Sequence, residues 1–214
     1  MDDETRRHCR SSYDAVADEY VRRIFDELKH KPVDRQLLDR FAADVRNVGP
    51  ACDLGCGPGH VARYLHEQSV QACGIDLSPV MVEQARRLTP AVEFRQGDLS
   101  ALDVADGTWA GIAAFYSLIH IPSSDLPQAL GELRRVLRPG GLLAAFHIGD
   151  ETVHLDEWWR HTVSVDFNFF RAPEMESRLR EAGFVIEETI ERDPYPEVEH
   201  PSRRCYIFAR RPMS

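Results

Sequence analysis

The chain has 214 residues, 43% hydrophobic and 29% charged, with a formal net charge of −9 at pH 7, which suits one soluble globular domain with a full core. No apolar run of about 18 residues is present, so a membrane-spanning helix is excluded, and the acidic balance disfavours nucleic acid, whose phosphates need clustered Lys and Arg. The polar start from Met1 to Arg7 has no apolar signal core, so a cytoplasmic protein is expected.

Residues 1–12 read as a frayed polar end. Val16, Tyr20, Ile24 and Leu28 recur every four residues, predicting a helix from Tyr13 to about Lys29 that Pro32 ends. A second helix is expected over Asp34–Val45, with Asp34 as its N-cap. Together these form an N-terminal helical cap, residues 1–46, on a single domain spanning 1–214. From residue 50 short apolar runs alternate with helical patterns. Strands are predicted at Ala51–Leu54, Val70–Ile75, Val92–Arg95, Gly111–Tyr116 and Gly141–Ile148, with helices at about 59–67, 79–89 and 124–137. Such alternation means an α/β fold with a doubly wound, mostly parallel, Rossmann-like sheet. Ser78-Pro79 is a helix start, and Arg138-Pro139-Gly140-Gly141 reads as a helix stop leading into a strand. Residues 149–171 hold Trp158, Trp159, Phe167, Phe169 and Phe170 without a clean period and read as a lid insertion on the acceptor side. A helix over Pro173–Ala182 stopped by Gly183, then strands Phe184–Ile190 and Arg204–Ala209, complete seven strands.

Five cysteines, at 9, 52, 56, 73 and 205, form no Cys-x-x-Cys pair and read as buried thiols, so no metal is expected. Arg203-Arg204 and Arg210-Arg211 read as strand-edge and C-terminal solubilising charge.

The informative stretch is Asp53-Leu54-Gly55-Cys56-Gly57-Pro58-Gly59-His60, a strand, a glycine turn and a helix start. In a doubly wound sheet ligands bind beyond the strands' C-terminal ends. The residues just after successive strands are the glycine loop, Asp76, Gly97-Asp98-Leu99, Phe115-Tyr116-Ser117 and His147. Asp76 suits a ribose diol, and Asp98 with the Leu99 amide suits an adenine. The third glycine of a dinucleotide fingerprint is misplaced, with His60 in its position, and Asp53 would oppose a pyrophosphate. A carboxylate there suits an ammonium, and S-adenosylmethionine carries one with a ribose, an adenine and no phosphate.

The loop, then Gly74-Ile75-Asp76-Leu77-Ser78, Gly97-Asp98-Leu99 and Leu137-Arg138-Pro139-Gly140-Gly141, resemble the successive motifs of class I S-adenosylmethionine-dependent methyltransferases, over about residues 13–210. The resemblance implies strand order 3-2-1-4-5-7-6 with the last strand antiparallel. It implies cofactor contacts from Asp53, Gly55, Cys56, Gly57, Gly59, His60, Asp76, Leu77, Met81, Gly97, Asp98 and Leu99, with Phe115 and Tyr116 beside the sulfonium. Tyr13-Asp14-x-x-Ala17-x-x-Tyr20 resembles the cap of the small-molecule branch, in which a tyrosine closes over the cofactor. Ala110 departs from the Asp that many members have before strand four. The Pro-Pro signature of amino-methylating DNA enzymes is absent after that strand.

Methyl transfer from a sulfonium needs alignment and desolvation, and a hydroxyl acceptor also needs a base. His120 and His147 are the candidate bases, each equally readable as structural, and Tyr116 would shape the site; His154 and His161 read as structural. Most lid aromatics read as packing. Arg171, Arg203 and Arg204 are alternative holders of an acceptor carboxylate. The expected activity is methyl transfer to an oxygen or nitrogen of a small molecule, by a monomer or homodimer. A non-catalytic cofactor-sensing module of the same fold is the alternative, and a nicotinamide oxidoreductase a weaker one.

Overall fold

A computed structural model describes residues 1–149 and 151–213, and the backbone alone for 143–148. Seven strands form one sheet: β1 (Ala51–Leu54), β2 (Ala72–Asp76), β3 (Glu93–Gln96), β4 (Trp109–Phe115), β5 (Leu137–Gly149), β8 (Val185–Arg192) and β9 (Arg203–Arg210), in the order β3-β2-β1-β4-β5-β9-β8. All neighbours from β3 to β5 pair in parallel, whereas β9 runs antiparallel to β5 and β8. With the remaining hairpin set apart, this is the expected seven-stranded order and its antiparallel last strand.

Period-two alternation along the central strands builds a core on each face. Cys52, Leu54, Ile112 and Ala114 pack toward α5 (Leu126–Val136) and α6 (Ala172–Glu181). Ala51, Ala113 and Phe115 pack toward α2 (Pro32–Val45) and α3 (His60–Glu67). A Cβ on Gly111 would sit 2.7 Å from both Phe41 and Val45, so only glycine lets α2 lie this close to β4. α4 (Pro79–Leu88) starts as expected, with the Ser78 hydroxyl accepting from the Met81 amide and Pro79 in the first turn.

The N-terminus is not frayed. Asp2 caps α1 (Asp3–Ile24), its carboxylate accepting from the Thr5 amide at 2.7 Å. Cys9, Tyr13, Val16 and Tyr20 line one stripe of this helix, and they dock on the β6–β7 hairpin described next. The sequence reading failed here because only one residue of that stripe, Cys9, precedes residue 13, so the first turns of the helix carry little apolar signal. Pro32 starts α2 rather than ending α1, as its fixed φ and missing N–H allow in a first helical turn. Asp34 therefore lies inside α2, fully buried, and is not its cap.

Residues 149–171, read as lacking a period, contain an antiparallel hairpin of β6 (Thr152–Trp158) and β7 (His161–Asn168). Val163, Val165 and Phe167 alternate inward on β7 toward α1. The expected helix stop at Arg138–Gly141 lies within β5, where Gly140 takes φ +76° and the pairing with β4 shifts register between Trp109 and Gly111. The four-residue motif is a strand irregularity held by reciprocal backbone bonds, Gly140 N–H to Arg211 O and Arg211 N–H to Gly141 O, both 2.9 Å.

Candidate functional site

A cleft opens at the C-terminal ends of β1, β2, β3 and β4, roofed by α1. Its lining includes Tyr13, Tyr20, Gly55, Gly57, Asp76, Leu77, Gly97, Asp98, Leu99, Phe115, Tyr116 and His120, all singled out from the sequence. Residues separated by up to 107 positions in the chain thus share one wall. Asp53, Cys56, Gly59, His60 and Met81 do not line the cleft; they build the shell beneath it. Gly59 caps α3 at φ +81°, and a Cβ there would sit 2.6 Å from the Phe94 ring, so the residue serves close packing. His60 is buried with its Nε2 3.1 Å from Glu27 Oε1.

The glycine loop is self-satisfied. The Gly55 and Cys56 amides donate to Ile75 O at 2.7 and 3.0 Å, and the Gly59 amide donates to Cys56 O. The Gly57 amide donates to Asp76 Oδ2 at 2.7 Å. A phosphate cradle needs such amides free and pointing at the ligand, so this loop offers shape and close approach instead. A Cβ on Gly55 would collide with Ser117 at 2.3 Å, and Tyr20 lies over Gly57.

The wall is acidic. Asp76 Oδ1 accepts from the Ser78 amide at 2.8 Å, and burial pushes its carboxyl up to about 6. Asp53 Oδ2 accepts from the Ala62 amide at 2.9 Å, while its buried Oδ1 has no hydrogen-bond partner among the described residues. Burial raises Asp53 to about 7, with His60 and the Ala62 amide opposing. Asp98 stays ionised, its burial outweighed by the Ser100 amide and hydroxyl and by Arg6, whose Nε lies 2.5 Å away.

Tyr13 and His120 form a dyad. The Asp166 carbonyl can only accept, so His120 Nδ1 donates to it at 3.0 Å. Nε2 of the neutral ring then accepts from the Tyr13 hydroxyl at 2.6 Å. Burial lowers the imidazole to about 4, which keeps it neutral near pH 7. Trp158 and Tyr20 pack edge-on against Tyr13 at 5.4 and 5.8 Å. Tyr116 sits at φ +57°, a left-handed backbone unusual for a bulky residue, and donates to Asp34 Oδ1 at 3.1 Å. The His147 side chain lies outside the described residues; its backbone pairs with Cys205 in β5.

Sequence reasoning missed Arg6, Cys9 and Arg10 because it set residues 1–12 aside. Arg6 grips Asp98, and Cys9 and Arg10 line the cleft. It also misread Arg204, which is buried in a charge cluster rather than solvated. Among the described residues no three His, Cys, Asp or Glu side chains converge as a metal set, and no helix is long and apolar enough to cross a membrane.

Residues 51–141 match a model of the methyltransferase domain. A malonyl-[acyl-carrier protein] O-methyltransferase of Pseudescherichia vulneris is 31% identical over 183 residues, covering 82% of this chain and 65% of the relative. The chain thus spans less than two thirds of that relative's length. Among solved structures, the DhpI–S-adenosylhomocysteine complex superposes with a TM-score of 0.77 at 23% identity over the whole of both chains. A methyltransferase from Methanosarcina mazei superposes with a TM-score of 0.74 at 16% identity, covering 81% of this chain and 97% of that one. At these identities the two structures speak for the fold.

Proposed function

Because the chain belongs to the class I S-adenosylmethionine-dependent methyltransferases, we propose that it methylates an oxygen of an acyl-type acceptor, a carboxylate of a malonyl-like thioester. The observation that carries the donor half is the glycine loop with its amides already engaged beside Asp76 and Asp98, and with Asp53 beneath it. That wall repels phosphates and suits a phosphate-free, cationic adenosyl ligand. The Gly55 and Gly57 approach and the lining of the cleft fit the cofactor, with the orphaned Oδ1 of Asp53 beneath the loop.

Asp76 would hold the ribose, Asp98 and Leu99 the adenine, and the loop over Asp53 the amino-acid end. When bound, S-adenosylmethionine supplies a sulfonium-activated methyl group, lost to the acceptor by in-line displacement to leave S-adenosylhomocysteine. Tyr13 and Tyr20 would close over it, excluding water. Tyr13 donates its hydroxyl hydrogen bond to His120, so toward the cleft its phenol oxygen has only lone pairs to offer. His120 acts here as a positioning residue: a carboxylate acceptor is already ionised and needs no base. The acyl acceptor is carried over from the relatives' name, and the carrier, if one is used, is part of this proposal.

Calorimetry with S-adenosylhomocysteine, followed by a product assay with S-adenosylmethionine and a malonyl thioester, tests the reading. Binding and a methyl ester product are expected. Absence of cofactor binding overturns the donor assignment; binding without product from any acceptor class favours the sensing module.

A further inference from the structure

In chain order the cleft lining ends at Ile121, so neither the β6–β7 hairpin nor the loop 193–202 contributes to it. Tyr116 lines the cleft, with Lys31 Nζ 5.2 Å and Arg204 Cζ 5.8 Å from the centre of its ring. Behind Tyr116 lie two carboxylates, Asp34, which accepts from its hydroxyl, and Glu199, whose side chain is 0% exposed although it comes from the loop 193–202. Its Oε2 accepts from Arg192 Nη1 at 2.7 Å and from the Tyr195 amide at 2.8 Å. Its Oε1 accepts from Arg192 Nη2 at 2.9 Å and lies 3.4 Å from both Lys31 Nζ and Arg204 Nε.

Three cations thus converge on a single carboxylate. Two have other anions as well: Lys31 meets Glu27 at 2.8 Å, and Arg192 meets Asp34 at 2.8 Å. Among the described residues Arg204 has no carboxylate except Glu199; its other nitrogens donate to Ser202 and His200. Burial alone would raise the Glu199 carboxyl, yet Arg192, the Tyr195 amide and the two flanking cations hold it down to about 2. Of the loop's three acids only Glu199 turns inward, after a left-handed Glu197 at φ +66°, a conformation that L-residues adopt at a cost. Val198 beside it is 46% exposed.

We propose that Lys31, Arg192 and Arg204 are the receptor for the acceptor's carboxylate, and that Glu199 occupies it as an internal stand-in until the acceptor displaces it. The receptor shares Tyr116 with the donor cleft, and a bound carboxylate would neutralise Arg204 as Glu199 does. Displacing Glu199 swings the loop 193–202 outward. This rests on the carboxylate-methylation reading above and assigns the residues that select its substrate.

The test is calorimetry on the S-adenosylhomocysteine-loaded protein, with the N-acetylcysteamine monothioester of malonate as probe and its methyl ester as neutral control. Glu199→Ala should bind the free acid at least tenfold more tightly than the unsubstituted protein and the ester no more tightly. Adding Arg204→Met should abolish that gain. Equal gains for acid and ester, or no gain in a folded variant, overturn the proposal. Amide exchange on the unsubstituted protein needs no variant: saturating acid should speed exchange across residues 194–200 several-fold, and unchanged or slower exchange overturns the proposal. If S-adenosylhomocysteine does not load, the donor assignment fails, and the carboxylate arms are read on the cofactor-free protein, so the two failures stay separate.

Discussion

Asp53 and Asp76 are buried carboxyls held near 7 and 6, high for their type because burial penalises their charge. A cation entering the cleft, or ribose hydroxyls donating to Asp76, would favour the ionised forms and lower both values. Cofactor binding should then release protons between about pH 5 and 7.5, and affinity should rise with pH across that window. Calorimetry in buffers of differing ionisation enthalpy reads the number released; proton uptake would contradict the assignment. Asp76→Ala removes an acceptor for charged-group hydrogen bonds, each of about 1.5–3 kcal/mol, so S-adenosylhomocysteine should bind about 10- to 100-fold more weakly. Tyr13→Phe leaves Nε2 of the half-buried His120 unpaired, at a cost of about 1 kcal/mol in stability, which denaturant melts would register. Both members of this dyad were visible as candidates in the sequence, but not their pairing. A spacing of 107 residues carries no local signal, and the tautomer that decides their roles depends on a carbonyl in β7.

At the scale of elements, the β6–β7 hairpin is built against its own turn. Trp158 pairs with His161, leaving Trp159 and Arg160 as a two-residue loop with φ of +51° and +69°. Such loops favour Asn-Gly or Asp-Gly, because both central residues need positive φ. The absence of any turn residue is why this hairpin was not legible, although Val163, Val165 and Phe167 alternate as a strand should. The strand–glycine–helix unit and the capped start of α4 were legible because each rests on local chemistry: positive φ at the glycines, a Ser-Pro start. Trp159 keeps its place through Tyr20 and Arg23, with Arg23 Cζ 5.1 Å from its ring centre. Arg160→Gly should therefore stabilise the protein by about 1 kcal/mol by relieving the left-handed backbone, whereas Trp159→Gly should lose more in aromatic contact than it gains. Chemical denaturation of the two variants should shift their midpoints in opposite directions.

For the whole molecule, the sheet's topology places the cleft at the C-terminal ends of β1, β2, β3 and β4, and α1 covers it. The start of the chain roofs the donor side: Met1's amino group meets Asp125 at 2.9 Å and Arg6 meets Asp98. Residues 192–204 gather Arg192, Glu199 and Arg204 into the buried charge cluster behind Tyr116. Distant parts of the chain thus become one unit only when folded, which explains why separate loops were readable and their closure was not. A ligand held under α1 and against four strand ends binds the folded chain and not the unfolded one. At a hundredfold excess over its dissociation constant it should add about 2.7 kcal/mol of stability. For a domain of this size each kcal/mol raises the midpoint by about 2–4 °C, so S-adenosylhomocysteine should raise it by about 5–10 °C. NADH at equal concentration should leave it unchanged, since the loop amides that would cradle a pyrophosphate are already bonded to Ile75 and Asp76. A comparable rise with NADH would return the chain to the nicotinamide class. In the same melts Arg6→Ala should shrink the S-adenosylhomocysteine shift, because it frees Asp98 and loosens the roof, while changing the cofactor-free midpoint far less.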